Sequence, residues 1–122
     1  MLIALLTILL LGGDATGMLD YISDSQDTVK AVMEKDDRRK DVLATLKGME
    51  KRTKARNKFV GSSSKSLRGV LGQDDASAAD IDAVWMSYFE EREAYNSDML
   101  DLRFQLKEQM TREEWGQVFA ED

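Results

Sequence analysis

The chain has 122 residues and a formal net charge of −6, and it contains no Cys, His or Pro. Without Cys and His, the sequence excludes disulfides, thiol nucleophiles, imidazole bases and the usual zinc ligand sets. Without Pro, no helix is interrupted by a missing backbone N–H. The length allows one domain, and the hydrophobic spacing described below predicts an all-α fold.

The first element is an apolar segment. Residues 2–11 read LIALLTILLL, and Gly12 and Gly13 follow. Ten helical residues reach about 15 Å, roughly half of a bilayer's hydrocarbon core. The length favours a signal sequence or signal anchor over an apolar contact inside a membrane assembly or a buried helix of a soluble core. We therefore assign 1–17 to a membrane anchor or signal-like segment. The residues predicted to contact membrane are Leu2, Ile3, Leu5, Leu6, Ile8, Leu9, Leu10 and Leu11.

The flank of this segment predicts its orientation. Four acids, Asp14, Asp20, Asp24 and Asp27, precede the first base, Lys30. Cytoplasmic flanks are normally rich in Lys and Arg. We therefore expect the remaining residues, 18–122, to form a helical domain outside the cytoplasm, in the periplasm.

The first long helix is predicted at about 18–58. Its apolar residues recur at near-helical spacing, but the interval 34–41 holds only charged residues. We interpret this interval as a solvated part of one continuous helix, with a polar collar that contacts a partner as the alternative. Ser23 and Gln26 form a capping-box pattern, which would begin the helix at Ser23 instead.

The next two elements are a connector and a second long helix. Residues 59–77 are rich in Gly and Ser, which predicts a flexible connector. A helix at about 78–110 follows, with Ser77 and Asp80 as its capping box. A heptad seam, interrupted by Arg92, predicts antiparallel packing on the first helix as a long hairpin. The seam residues are Ile81, Trp85, Tyr88, Tyr95, Met99, Leu102 and Leu106.

A short C-terminal helix is predicted at about 112–120. Thr111 and Glu114 give it a second capping box. Because about eight residues do not hold a helix alone, we expect it to fold back onto the hairpin. Trp115 and Phe119 would then close the end of the hairpin seam.

Charge is unevenly distributed along the chain. Residues 47–68 carry a net +7, whereas 69–122 carry a net −10. This pattern predicts a basic tip on the hairpin that contacts the acidic second arm, within one chain or between copies. A nucleic-acid partner is not expected, because no aromatic residue interleaves the bases and the rest of the chain is acidic. The basic tip comprises Lys51, Arg52, Lys54, Arg56 and Lys58.

Carboxylates are the only plentiful catalytic groups. Adjacent acids such as Glu113 and Glu114 do not face each other on a helix, so they form no acid–base pair unaided. The acids near 74–82 lack the EF-hand pattern. We expect no enzyme activity, no cofactor and no metal site.

The motif Met110-Thr111-Arg112-Glu113-Glu114, with the apolar N-terminus and long hairpin, resembles periplasmic helical stress chaperones and metal sensors. Those proteins carry Leu-Thr-x-x-Gln motifs, so Met and Glu replace Leu and Gln here. The resemblance implies a soluble periplasmic chaperone or stress-binding protein, released after signal cleavage near Gly17. It would bind no metal through His, since the chain has none.

These patterns together predict a non-enzymatic, membrane-associated helical assembly or accessory subunit. Its N-terminal segment would contact membrane lipid or a membrane protein complex. Its helices would bind a protein partner or further copies of the chain. The periplasmic chaperone is the alternative that the sequence leaves open.

Overall fold

The computed structural model describes residues 16–73, 75 and 77–119, and this part of the chain is all-α, without a strand. The predicted membrane-contact residues, Leu2 to Leu11, lie outside the described residues. The helices are α1 (Thr16–Val32), α2 (Asp37–Leu71), α3 (Ala78–Gln109) and α4 (Arg112–Phe119).

A break at residues 33–36 divides the region predicted as one helix at about 18–58. The Asp36 side chain accepts a hydrogen bond from the Arg39 backbone N–H at 3.0 Å and so caps α2. The Arg39 guanidinium also donates to the Lys30 carbonyl at 3.2 Å, near the end of α1. The reversal buries Met33 and lets α1 pack on α2, which a straight helix could not do. Ser23 does not begin a helix, because α1 is already formed at Thr16.

The Gly/Ser-rich stretch predicted as a flexible connector is helical as far as Leu71. Gly costs about 1 kcal/mol relative to Ala inside a helix. Here, tertiary packing offsets that cost, because Val60, Leu67 and Val70 are half-buried. The bend between α2 and α3 is correspondingly short.

Both predicted capping boxes of the later helices are formed. Ser77 Oγ accepts from the Asp80 N–H at 3.2 Å, and the Asp80 carboxylate accepts from the Ser77 N–H at 3.1 Å. The same reciprocal pair links Thr111 and Glu114, at 3.1 Å and 2.9 Å. Each cap satisfies two backbone N–H groups that a helix start would otherwise leave unpaired.

Contacts between α2 and α3 follow a reversed order. Thr45 Oγ1 contacts the Gln109 side chain at 2.9 Å, and Thr53 Oγ1 contacts the Tyr95 hydroxyl at 3.0 Å. Partner numbers along α3 fall as positions along α2 rise, the order expected of antiparallel neighbours. Helix α1 also runs back along α2, since Gln26 reaches Glu50 at 3.4 Å.

The core lies at one end of the α2–α3 pair, where α1 and α4 cover it. We call this end the proximal half. The other end, formed by residues 57–71 and 78–94, contains no fully buried side chain, and we call it the distal half. The buried hydrophobic residues are Met18, Ile22, Val29, Met33, Val42, Leu46, Met49, Tyr95, Met99, Leu106, Met110 and Phe119.

Candidate interaction surface

The residues of the predicted seam are buried unequally. Tyr95, Met99 and Leu106 are buried, and they occupy the proximal part of α3. In the distal half, by contrast, the Trp85 side chain is 42% exposed. The remaining seam residues are half-buried: Ile81, Tyr88 and Leu102. The seam therefore changes from a core face to a surface face along a single helix.

The inner face of α2 continues in phase into the distal half. Eighteen residues correspond to about five helical turns, so positions 18 apart share one face. Val42 and Met49 are buried in the proximal half, and the residues 18 positions later are Val60 and Leu67. These equivalents are equally apolar but only half-buried. The inner face of α2 therefore remains apolar in the distal half, although it is less buried there.

Helix α3 shows the same relation. Leu106 is buried, and Tyr88 lies 18 residues before it on the same face. Arg103 lies against α4, with its guanidinium carbon 5.7 Å from the centre of the Trp115 ring. Trp85 is the position equivalent to Arg103. Trp85 therefore lies on the same side of α3 as Arg103. In the proximal half this side contacts α4.

Trp85, Tyr88 and Phe89 form one aromatic cluster in the distal half, in which Tyr88 is half-buried and the other two are exposed. Trp85 stacks on Phe89 with ring centres 6.0 Å apart, and its edge meets Tyr88 at 6.0 Å. Tyr88 and Phe89 meet edge to face at 5.8 Å. Phe89 is 52% exposed, and the neighbouring Met86 and Leu71 are also exposed. Clustered, exposed aromatic residues are typical of interaction sites rather than of an ordinary surface.

An open groove runs between the helices beside this cluster. Its volume is about 220 Å³. Apolar side chains form most of its lining, together with two serines. The lining residues are Val60, Ser63, Ser64, Leu67, Val84, Trp85 and Tyr88. We call this groove, together with Leu71, Met86 and Phe89, the distal surface.

The basic residues predicted at the tip lie instead in the middle of α2, because this helix continues to Leu71. Arg52 bridges two acids of α3, with 2.7 Å contacts to both Glu91 and Asp98. Lys54 pairs with Glu50 at 2.9 Å within α2. The other exposed bases of the set are Lys51 and Lys58.

Arg56, also of this basic set, is only 2% exposed. Its guanidinium carbon lies 4.9 Å from the centre of the Tyr95 ring, the geometry of a cation–π contact. Its Nη1 atom is buried and has no hydrogen-bond partner. The Tyr95 hydroxyl shares a hydrogen bond with Thr53, and burial raises the Tyr95 pKa. The charge pattern could not reveal this, because it depends on packing across two helices.

A second polar contact closes the proximal end. The Arg38 guanidinium forms a bidentate ion pair with the Glu114 carboxylate, and Nη2 lies 2.7 Å from Oε2. The hydrogen bonds from Arg38, together with the Thr111 N–H, lower the Glu114 pKa to about 2. This acid thus joins the α4 cap to the start of α2. With its pKa lowered, Glu114 is ionised near neutral pH, where it stabilises the contact between α4 and α2 and does not donate a proton.

Comparison with protein-family models, with curated proteins and with solved structures finds no match. Among the described residues, no helix combines the length and apolar character needed to cross a bilayer. No group of three or more acids in these residues is arranged to hold a metal ion. Packing among the described residues leaves the distal surface uncovered.

Proposed function

We propose that the chain is a non-enzymatic, membrane-associated helical assembly or accessory subunit. In this proposal, α2 and α3 form a long hairpin whose distal surface binds protein. The observation that carries the proposal is the aromatic cluster of Trp85, Tyr88 and Phe89. Tyr88 continues the face that is core in the proximal half, and Trp85 and Phe89 are exposed beside it. Removing this apolar area from water on binding would contribute about 25 cal/mol for each Å² buried.

The path of α1 supports a membrane role for the N-terminal segment. Gln26 lies beside Glu50 and Lys30 lies beside Arg39, so α1 runs towards the distal half as it is followed back to Thr16. The apolar residues 2–11 lie directly upstream of this point. The break at 33–36 thereby directs the N-terminal end of α1, at Thr16, towards the distal half. A partner embedded in the same membrane could contact both residues 2–11 and the distal surface.

The ionisable groups support a binding role over catalysis. Arg52 is held by Glu91 and Asp98, and Glu114 is held by Arg38. Each of these acids has an ion-pair partner, and none faces the groove of the distal surface. Shape and apolar contact are therefore the chemistry that this surface offers.

Purification of the native full chain from membranes tests the proposal. We expect the chain in the membrane fraction, released by detergent together with further copies or other chains. Phe89→Glu should abolish this association. Phe104→Glu is the matched control, because Phe104 lies on the same helix with similar exposure, 56%, but in the proximal half. Association that survives Phe89→Glu, or is lost equally in both variants, would reject the distal surface as the binding site.

N-terminal sequencing of the same material tests the chaperone alternative. A mature protein beginning near Met18, found in the soluble fraction, would favour a released chaperone. The exposed aromatic cluster would also suit that role, because unfolded chains present apolar side chains. Retention of Met1 in membrane-bound protein favours the anchored subunit.

A further inference from the structure

We infer that the distal surface binds a second copy of this chain, and that the two hairpins lie side by side with their distal halves pointing the same way. The inference rests on the proposed function and names its partner. A two-fold axis parallel to the helices would place α2 of each copy against α3 of the other. The distal halves would then form a four-helix bundle around the two aromatic clusters.

The charges of the two distal helices are complementary. The α2 part, 58–71, carries Lys58, Lys65 and Arg68 and no acid. The α3 part, 80–93, carries one base, Arg92, and five acids. These acids are Asp80, Asp82, Glu90, Glu91 and Glu93. A pairing that puts α2 on α3 of the partner brings opposite charges together, whereas pairing like helices would oppose like charges.

These charges also occupy the right sides of their helices. Lys58 and Lys65 are seven residues apart, so they share one flank of α2. Asp82 and Glu93 are eleven residues, or about three turns, apart and share a flank of α3, on the side of Phe89. None of these four charges pairs with another described residue. They would form a charged rim around an apolar centre, the usual arrangement of a protein interface.

The orientation agrees with a membrane anchor. An axis parallel to the helices sends both copies of α1 towards the same end. Both apolar segments, 2–11, can then enter one bilayer. An antiparallel dimer would instead send the two copies of α1 towards opposite ends of the bundle. The same surface thus joins two copies without separating their anchors.

Fluorescence of Trp85 tests the inference directly. The chain has two tryptophans, so Trp115→Phe leaves Trp85 as the only one. We expect the full chain in detergent micelles to scatter light as a dimer. Trp85 emission should shift to longer wavelength when the protein is diluted, because dissociation exposes the ring. Far-UV circular dichroism checks that the variant remains folded.

Substitutions in the Trp115→Phe background identify the contacts. Phe89→Glu should weaken dimerisation by at least about tenfold, while Phe104→Glu leaves it unchanged. Lys65→Glu should weaken it as well, and adding Asp82→Lys should restore it, because the antiparallel order of α2 and α3 puts these two positions at the same height. Restoration by charge exchange would not follow from a change in folding alone.

Three outcomes would overturn the inference. A monomer whose Trp85 emission stays at short wavelength at every dilution would show that residues 2–11 cover the groove. A monomer whose emission changes only with phosphatidylcholine vesicles would show a lipid contact. A monomer that still copurifies with another chain, and loses it on Phe89→Glu, would reject the dimer and leave the proposed function standing.

Discussion

Replacing the buried Arg56 with Met should stabilise the protein. Arg56 is 2% exposed, its guanidinium faces the Tyr95 ring, and Nη1 has no hydrogen-bond partner. Desolvation of a buried ion costs several kcal/mol even after relaxation. The cation–π contact returns about 0.5–2 kcal/mol. Met keeps most of the apolar volume of the side chain and removes the charge, so we expect the free energy of unfolding to rise by about 1–3 kcal/mol.

Arg52→Met provides the matched control for this prediction. Arg52 lies one turn away on α2 and makes ion pairs with Glu91 and Asp98, so the same substitution should lower the free energy of unfolding by about 1 kcal/mol. The assay is urea unfolding followed by circular dichroism, with the slope of free energy against urea unchanged. The two expected changes in the free energy of unfolding have opposite signs, so the comparison tests whether ion-pair partners decide the effect of removing an arginine. If Arg56→Met destabilises the protein as much as Arg52→Met, the buried guanidinium has a stabilising contact and the reasoning fails.

Three further predictions concern the packing, the ion pair at the proximal end and a cap. Leu46→Ala should cost about 3 kcal/mol in urea unfolding, because it leaves a cavity in the core, against about 1 kcal/mol or less for the exposed Leu100→Ala; equal costs would contradict the packing. The Glu114 pKa is lowered to about 2, so its stabilising effect is present above about pH 4.5 and lost as the pH falls towards 2. The acid limb of a thermal-stability profile should therefore be shallower in Glu114→Gln, and an unchanged limb would refute the ion pair with Arg38. Ser77→Ala should lower the melting temperature through a loss of about 1 kcal/mol, and Ser77→Asp should restore it.

The features predicted from sequence with success are those fixed by neighbouring residues. A capping box needs only two side chains three positions apart, and both Ser77–Asp80 and Thr111–Glu114 form as expected. The all-α class follows in the same way from helical spacing and the absence of Pro. Such signals are read within one turn. The same spacing at Ser23 and Gln26 begins no helix, because α1 is already formed upstream of it.

The features that differ from the sequence predictions depend on distant contacts. No Pro or Gly marks the break at 33–36, and the cap at Asp36 becomes evident only once α1 packs on α2. The Gly/Ser stretch is helical because α3 lies beside it, against its intrinsic preference. The seam residue Trp85 has the same heptad spacing as Tyr95, yet their exposure differs because α1 and α4 reach only the proximal half. Spacing gives the direction of a side chain, but its burial depends on the element opposite.

The packing of α4 on α1 has a consequence for the order of folding. Tyr21 and Phe119 stack with ring centres 6.4 Å apart, although they are 98 residues apart in the sequence. The α1–α2 and α2–α3 contacts join neighbours in the sequence and close shorter loops, at a smaller entropic cost. The α1–α4 contact should therefore form late, after the reversals at 33–36 and 72–77. During synthesis, the apolar face of α1 would stay partly uncovered until the last helix leaves the ribosome.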